Sequence, residues 1–242
     1  PINIMDNPIA RKREMRWLQQ QAVRGIKVDF FGGDKQETMR LYEDILSDAN
    51  RYGLQVIFHG CTIPRGWERM YPNYVGSEAV LASENVYFSQ RHCDLEGFEL
   101  TMHPFSRNAI GSMDWGGVIM KHRMGRGADS GNYRRTTDVF EMATAITNQA
   151  SVQCIAVQPD NIGSLPQFEK DFLKTVPLHG TRHALSTDID KICCYGPPPR
   201  QRLVCRRTQR HRQADDLDRL SAHVCRAEGE TLCRQTKKKK GE

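Results

Sequence analysis

Residues 26–58, IKVDFFGGDKQETMRLYEDILSDANRYGLQVIF, decide the fold of this chain. Ile26–Phe30 is a short apolar run with β-branched residues, and Leu54–Phe58 is another. Between them Met39, Leu41, Tyr42, Ile45, Leu46 and Ala49 return at helical spacing, and Gly53 stands where a helix would stop. Strand, helix and strand in this order make a parallel β–α–β unit. A third apolar run, Glu78–Ala82 (EAVLA), predicts a further strand. On the amino-terminal side, Ile9, Met15, Leu18, Ala22 and Val23 predict a helix over Ile9–Val23. On the other side the pattern predicts a helix over Thr137–Asn148, a strand over Val152–Val157 and a helix over Leu165–Val176. The class is therefore α/β. A closed (β/α)8 barrel takes about 250 residues, so this segment reads as an open sheet or as a piece of a barrel.

The chain has 242 residues, 38% hydrophobic and 26% charged, which suits one or two domains. No apolar run approaches the ~20 residues that span a bilayer, so no membrane partner is expected. The charge is unevenly placed. Residues 178–242 hold 15 Lys/Arg against 8 Asp/Glu, whereas residues 1–177 hold 20 against 21. The net charge of +6 thus belongs to the tail, and it gives no ground for nucleic-acid binding by the rest. Five of the eight cysteines also lie in the tail, with GPPPR, a closing KKKKGE and Tyr195 as its lone aromatic residue. No C-x-x-C pair occurs there, so the cysteine spacing does not read as a zinc module. The tail shows no strand pattern and a weak helical stretch at Ala214–Val224. It reads as a disordered basic tail or as translation in a shifted frame. The expected division is residues 1–177 and residues 178–242.

Side chains that carry chemistry gather at the ends of the predicted strands. Lys27 and Asp29 alternate onto one strand face. They read either as an anionic nucleophile held by a cation or as a structural ion pair. Glu84 follows the third apolar run and Glu78 begins it. Two carboxylates from separate strand ends can flank one glycosidic bond, with a gap of about 5 Å for double displacement. They can equally face solvent. His59, after LQVIF, reads as a donor to substrate or as a core histidine. Cys61 lacks a thiolate-stabilising context. Trp67, Tyr71 and Trp115 offer faces for sugar stacking or simply pack. Arg107 and Asn108 could bind hydroxyls or lie on the surface, and Asp114 is a spare acid. Phosphate loops and nucleophile elbows are absent.

The stretches GIKVDFFGGDKQETMRLYEDILSDANRYGLQVIFHGCTIPRGWERMYPN, GSEAVLASEN, HPFSRNAIGSMDW and ATAITNQASVQCIAVQPDN, in that order, resemble glycoside hydrolase family 97. The resemblance runs to about Pro177. It implies a β-sandwich, a catalytic barrel and a small β-domain in the parent, with this chain holding the later half of a (β/α)8 TIM barrel. It implies α-galactosidase or α-glucosidase activity on an oligosaccharide or α-glycoside. Asp29 matches the nucleophile of the retaining branch and Glu84 its acid/base. Glu78 matches a calcium ligand, and Glu84 lies near the same ion. The inverting branch places a base glutamate where this chain has Gly60, so retention and a galactosidase are favoured. The resemblance also implies a periplasmic or secreted parent. The alternatives are a lysine-dependent aldolase using Lys27, an inactive carbohydrate-binding relic, and a basic interaction protein acting through its tail. Half a barrel leaves open sheet edges, so poor stability and little turnover are expected of this chain alone.

Overall fold

The computed structural model describes residues 2–125, 130–148, 150–176, 191–195 and 202–206. The chain forms two compact units. The first comprises residues 1–82, 106–115 and 150–152, and the second comprises residues 83–105, 116–149 and 153–242.

The first unit begins with α1 (Ile2–Met5) and α2 (Pro8–Gln20). Asn7 caps α2, its side-chain oxygen accepting from the Ile9 and Ala10 N–H groups, and Pro8 fits the first turn, where its missing N–H leaves no gap. Then come β1 (Gly25–Val28), α3 (Gln36–Arg51), β2 (Gln55–Phe58), α4 (Trp67–Met70) and β3 (Tyr74–Ser77). The three strands form one parallel sheet in the order β1-β2-β3. Tyr42, Ile45, Leu46 and Ala49 line the buried face of α3, and Val28, Val56 and Phe58 meet them in the core. Aromatic rings fill the rest. Phe31 stacks on Tyr42 at 4.1 Å, and Trp67 lies 4.7 Å from Tyr42 and 5.6 Å from Phe58.

The third strand is not where the apolar run predicted it. Pairing ends at Ser77, and Glu78–Ala82 belongs to no strand, with Ala79 at φ 43°. The segment around Ser112 runs beside the sheet instead. Ser77 bridges Met113 in parallel, and Asp114 N–H donates to Ser77 O at 3.0 Å. Gly76 permits this approach, because a Cβ there would meet Ser112 Oγ at 3.2 Å.

The second unit holds a 3-10 turn (Ser83–Tyr87), α5 (Gln90–Ser106, whose last residue falls in the first unit) and a two-stranded antiparallel pair, β4 (Arg123–Met124) with β5 (Asn132–Tyr133). It continues with α6 (Asp138–Thr147), α7 (Pro159–Ile162) and α8 (Gln167–Thr175). Thr137 caps α6 by accepting from the Phe140 N–H at 3.2 Å. The expected strand over Val152–Val157 does not form. Ala156 N–H reaches Gly117 O at 2.9 Å, but no ladder follows, since an apolar β-branched run needs a neighbouring strand to pair with.

A buried polar cluster lies in this unit. Glu141 accepts from the Ile119 N–H and from Thr136, while buried Arg134 donates to Asp138 and Ile119 O. Glu96 is 3% exposed, and neither of its carboxyl oxygens has a hydrogen-bond partner among the described residues. Burial, reinforced by the charge of Glu141, pushes the Glu96 carboxyl up to about 9.

Two strands of the tail, β6 (Lys191–Tyr195) and β7 (Arg202–Arg206), pair antiparallel where the sequence pattern predicted no strand. The helical stretch Ala214–Val224 and the remainder of the tail lie outside the described residues. Among the described residues no helix is long and apolar enough to cross a membrane.

Candidate active site at the strand exits

Parallel strands end on the same side, so the residues after β1, β2 and β3 converge. Asp29 follows β1, His59 and Gly60 follow β2, and Glu78 follows β3. His59 is 6% exposed and sits among three carboxylates. Its Nδ1 lies 3.3 Å from Glu78 Oε2 and 3.7 Å from Asp29 Oδ2, and its Nε2 lies 3.3 Å from Asp114 Oδ2. Burial works to lower the imidazole's affinity for a proton. The contact with Asp114 and the charge of Glu78 outweigh it, so the His59 imidazole is held above its ordinary range. Asp114 is buried, which works to raise its carboxyl. Its contacts with His59 and Lys27 prevail and hold it below the usual carboxylate range. The contacts of Asp114 Oδ2 with Lys27 and His59 are at ion-pair distance, and neither meets hydrogen-bond geometry.

Asp29 keeps a third of its side chain exposed. Its Oδ1 accepts the Phe30 N–H at 2.6 Å, which fixes one carboxylate oxygen. Gly60 gives it room. A Cβ on Gly60 would lie 2.7 Å from Asp29 Oδ1, and the backbone there has φ 48°. The Gly60 N–H in turn donates to Glu78 Oε2 at 2.7 Å. Glycine is therefore the residue that lets the exits of β1 and β2 close on one carboxylate.

Several predicted roles change. Lys27 does not pair with Asp29; its Nζ lies 2.8 Å from Asp114 Oδ2, because Asp29 has left the strand and turned toward His59. Trp67 is 1% exposed inside the aromatic core, so its face is not free for a sugar. Trp115 is buried too. Arg107 is 4% exposed and its guanidinium holds the backbone, donating to the carbonyls of Ser77, Glu78, Gly111 and Ser112. Asn108 donates to Gly111 O at 3.3 Å. Burial pushes the Cys61 thiol up, which disfavours a thiolate. Glu84 belongs to the second unit, on the 3-10 turn. Asp114, taken from the sequence only as a spare acid, is the residue that joins Lys27 to His59. Nothing in its local spacing marks it, since its partners lie far away in the chain.

Among the described residues no group of three or more His, Cys, Asp or Glu side chains is arranged to hold a metal ion. Calcium takes about six to eight oxygens. The described residues do not make such a site by themselves.

The family model for glycoside hydrolase 97 matches residues 5–80, the segment that carries Lys27, Asp29, His59 and Glu78. The solved structure titled as a β-arabinopyranosidase is 56% identical, with a TM-score of 0.73, over 85% of this chain. Residues 5–80 belong to glycoside hydrolase family 97. A curated sequence from Streptomyces bingchenggensis, named "Probable retaining alpha-galactosidase", is 30% identical over 75% of this chain. A family 97 enzyme from Pseudoalteromonas sp. strain K8, solved with panose, is 20% identical over 75% of this chain, with a TM-score of 0.61, and shares the fold. The chain spans 26% of the Streptomyces relative, 32% of the β-arabinopyranosidase and 30% of the Pseudoalteromonas enzyme.

Proposed function

We propose that this chain carries the nucleophile half of a retaining α-glycosidase acting on galacto-configured pyranosides. The observation that carries the reading is Asp29, a part-exposed carboxylate at a strand exit, in space that Gly60 leaves open. A glutamate at position 60, as an inverting base, would meet that carboxylate. Asp29 would attack the anomeric carbon while Glu84 protonates the departing oxygen; Glu84 would then deprotonate the water that releases the sugar. His59, set between them, would hold Asp29 and Glu78 in place. Lys27 would reach a sugar hydroxyl from its place beside Asp114.

The names of the relatives point to one stereochemistry. A β-arabinopyranoside of the L series has the ring configuration of an α-D-galactopyranoside without the exocyclic CH2OH. An oligosaccharide or simple glycoside of that configuration is the expected substrate. The parallel β–α–β order supports a reading of the first unit as part of a (β/α)8 barrel. Calcium enters this reading only as an ion that Glu78 and Glu84 help to hold once other donors complete its shell. A periplasmic or secreted parent belongs to the same proposal.

The aldolase alternative needs a free amine. Lys27 Nζ instead faces a carboxylate at 2.8 Å. A mechanism-based 2-fluoro-galactoside tests the leading reading. In the full-length parent it is expected to label Asp29 covalently. Labelling of another residue, or none in an active enzyme, rejects the assignment. Borohydride trapping of a keto-sugar on Lys27 would instead support the aldolase.

A further inference from the structure

We propose that Asn132 is the positioning residue of the acid/base: its side-chain amide holds the turn that carries Glu84. The proposal rests on the reading of Glu84 as acid/base, and every residue it uses for the hold lies in the second unit. Glu84 stands in the first turn of the 3-10 segment Ser83–Tyr87. It is exposed, while Ser83 and Val86 of the same segment are buried. A 3-10 segment has poor hydrogen-bond geometry of its own, and the carbonyls at a helix end find no partner within it. What fixes such a turn has to come from elsewhere in the chain. Val86 O is met by a residue 46 positions away, Asn132 Nδ2 donating to it at 2.8 Å. The Cys93 thiol, a weak donor, also reaches Val86 O, at 3.4 Å.

Neighbouring bonds turn this contact into a clamp. The Tyr133 N–H donates to Gln90 Oε1 at 2.8 Å, and Gln90 Nε2 donates back to Tyr133 O at 2.9 Å. Gln90 Nε2 and Arg135 Nε both donate to Asp94 Oδ1, at 3.0 and 2.7 Å. Gln158 Nε2 donates to the Tyr87 hydroxyl at the end of the turn. Of the residues of β5, Tyr133 thus grips the start of α5 and Asn132 reaches the turn itself. Asparagine is a poor strand former; its amide is what this position uses. The chemistry says how a slack turn would show. In the first step Asp29 bonds to the anomeric carbon, the bond from that carbon to the leaving oxygen breaks, and the Glu84 proton passes to that oxygen. Protonation matters most for a basic leaving group. Phenolate needs it, whereas 2,4-dinitrophenolate departs without it. A displaced Glu84 therefore slows the first and spares the second, while a loss of folded enzyme lowers both alike.

The test compares kcat/KM of the full-length parent, unmutated and as Asn132→Ala, Asn132→Asp and Glu84→Gln, on phenyl and 2,4-dinitrophenyl α-D-galactopyranosides. Asn132→Asp keeps the shape of the side chain and lacks the N–H donor. Glu84→Gln is expected to lower kcat/KM for the phenyl glycoside by about 100-fold or more and to leave the dinitrophenyl glycoside within about threefold. Both Asn132 variants are expected to show the same selectivity at a smaller size, about 5- to 30-fold on the phenyl glycoside. When Glu84→Gln shows the selective loss, equal losses on the two substrates in either Asn132 variant, complete inactivity included, overturn the role of Asn132 alone, as does no loss on either substrate. Glu84→Gln without a selective loss overturns the reading of Glu84 and this proposal with it.

Discussion

Two groups of carboxylates in this chain are built from similar residues and come out differently. At the strand exits, Asp29, Glu78 and Asp114 surround His59, with Lys27 alongside. In the second unit, Glu96 and Glu141 share a buried neighbourhood with Arg134. The first group is supplied with cations and backbone donors, and Asp29 stays part-exposed. In the second, Glu96 is buried without a hydrogen-bond partner among the described residues, and it is held neutral well above its ordinary range. Composition does not separate the two groups. Solvent access and the donors within reach do, because a carboxylate is useful as a nucleophile only while it remains ionised and reachable.

The largest expected effect sharpens that contrast on its reactive side. Asp29→Asn in the full-length parent should lower kcat by about 10⁴-fold or more, as expected when a covalent nucleophile is removed. Steady-state kinetics with an aryl α-galactoside measure it, and a loss below tenfold would break the assignment. Glu96→Gln should leave the same kinetics within about twofold, since its side chain is buried in the other group.

A middle-sized effect is expected from Gly60→Ala. The added methyl meets Asp29 Oδ1 at 2.7 Å, in a backbone of φ 48°. A stability loss of about 1–3 kcal/mol follows from the strain, read as a shift of the denaturation midpoint. A neutral result would mean that the two exits are more loosely joined than their contacts indicate.

The smallest effect concerns Glu96 itself. Its folded carboxyl is raised to about 9, above the unfolded value. The folded state therefore binds the proton more tightly than the unfolded chain. The associated stability is fully present below pH ~4.5 and is lost as the pH rises toward about 9. Tm should fall across that window, and Glu96→Gln should flatten the slope and raise Tm by a few degrees near neutral pH. A slope unchanged by Glu96→Gln would assign the pH dependence to other groups.

Local pattern was enough for much of the first unit. The periodicity of Met39 to Ala49 gave α3, the flanking runs gave β1 and β2, and both strand exits could be read off the chain together with Asp29 and His59. Parallel pairing follows from the helix between the strands, and the match of residues 5–80 to glycoside hydrolase family 97 from the ordered motifs. What local pattern could not supply was partners. Glu78–Ala82 has the apolar content of a strand, yet it is Tyr74–Ser77 that finds β2 to pair with, and Gly76 lets the distant Ser112 segment come alongside. Trp67 looks like a sugar platform until the rings of Tyr42, Phe58 and Tyr74 pack against it. Arg107 looks like a hydroxyl donor until four backbone carbonyls take up its guanidinium. Asp114 joins Lys27 and His59 from 87 and 55 positions away in the chain, and only folding brings it there. The sequence by itself determined the strand–helix order and which side chains stand at the strand ends, because these depend on neighbours a few residues apart. The tertiary structure alone decided which of them are buried, paired or open to a substrate, because burial and charge pairing depend on groups that are far apart in the chain.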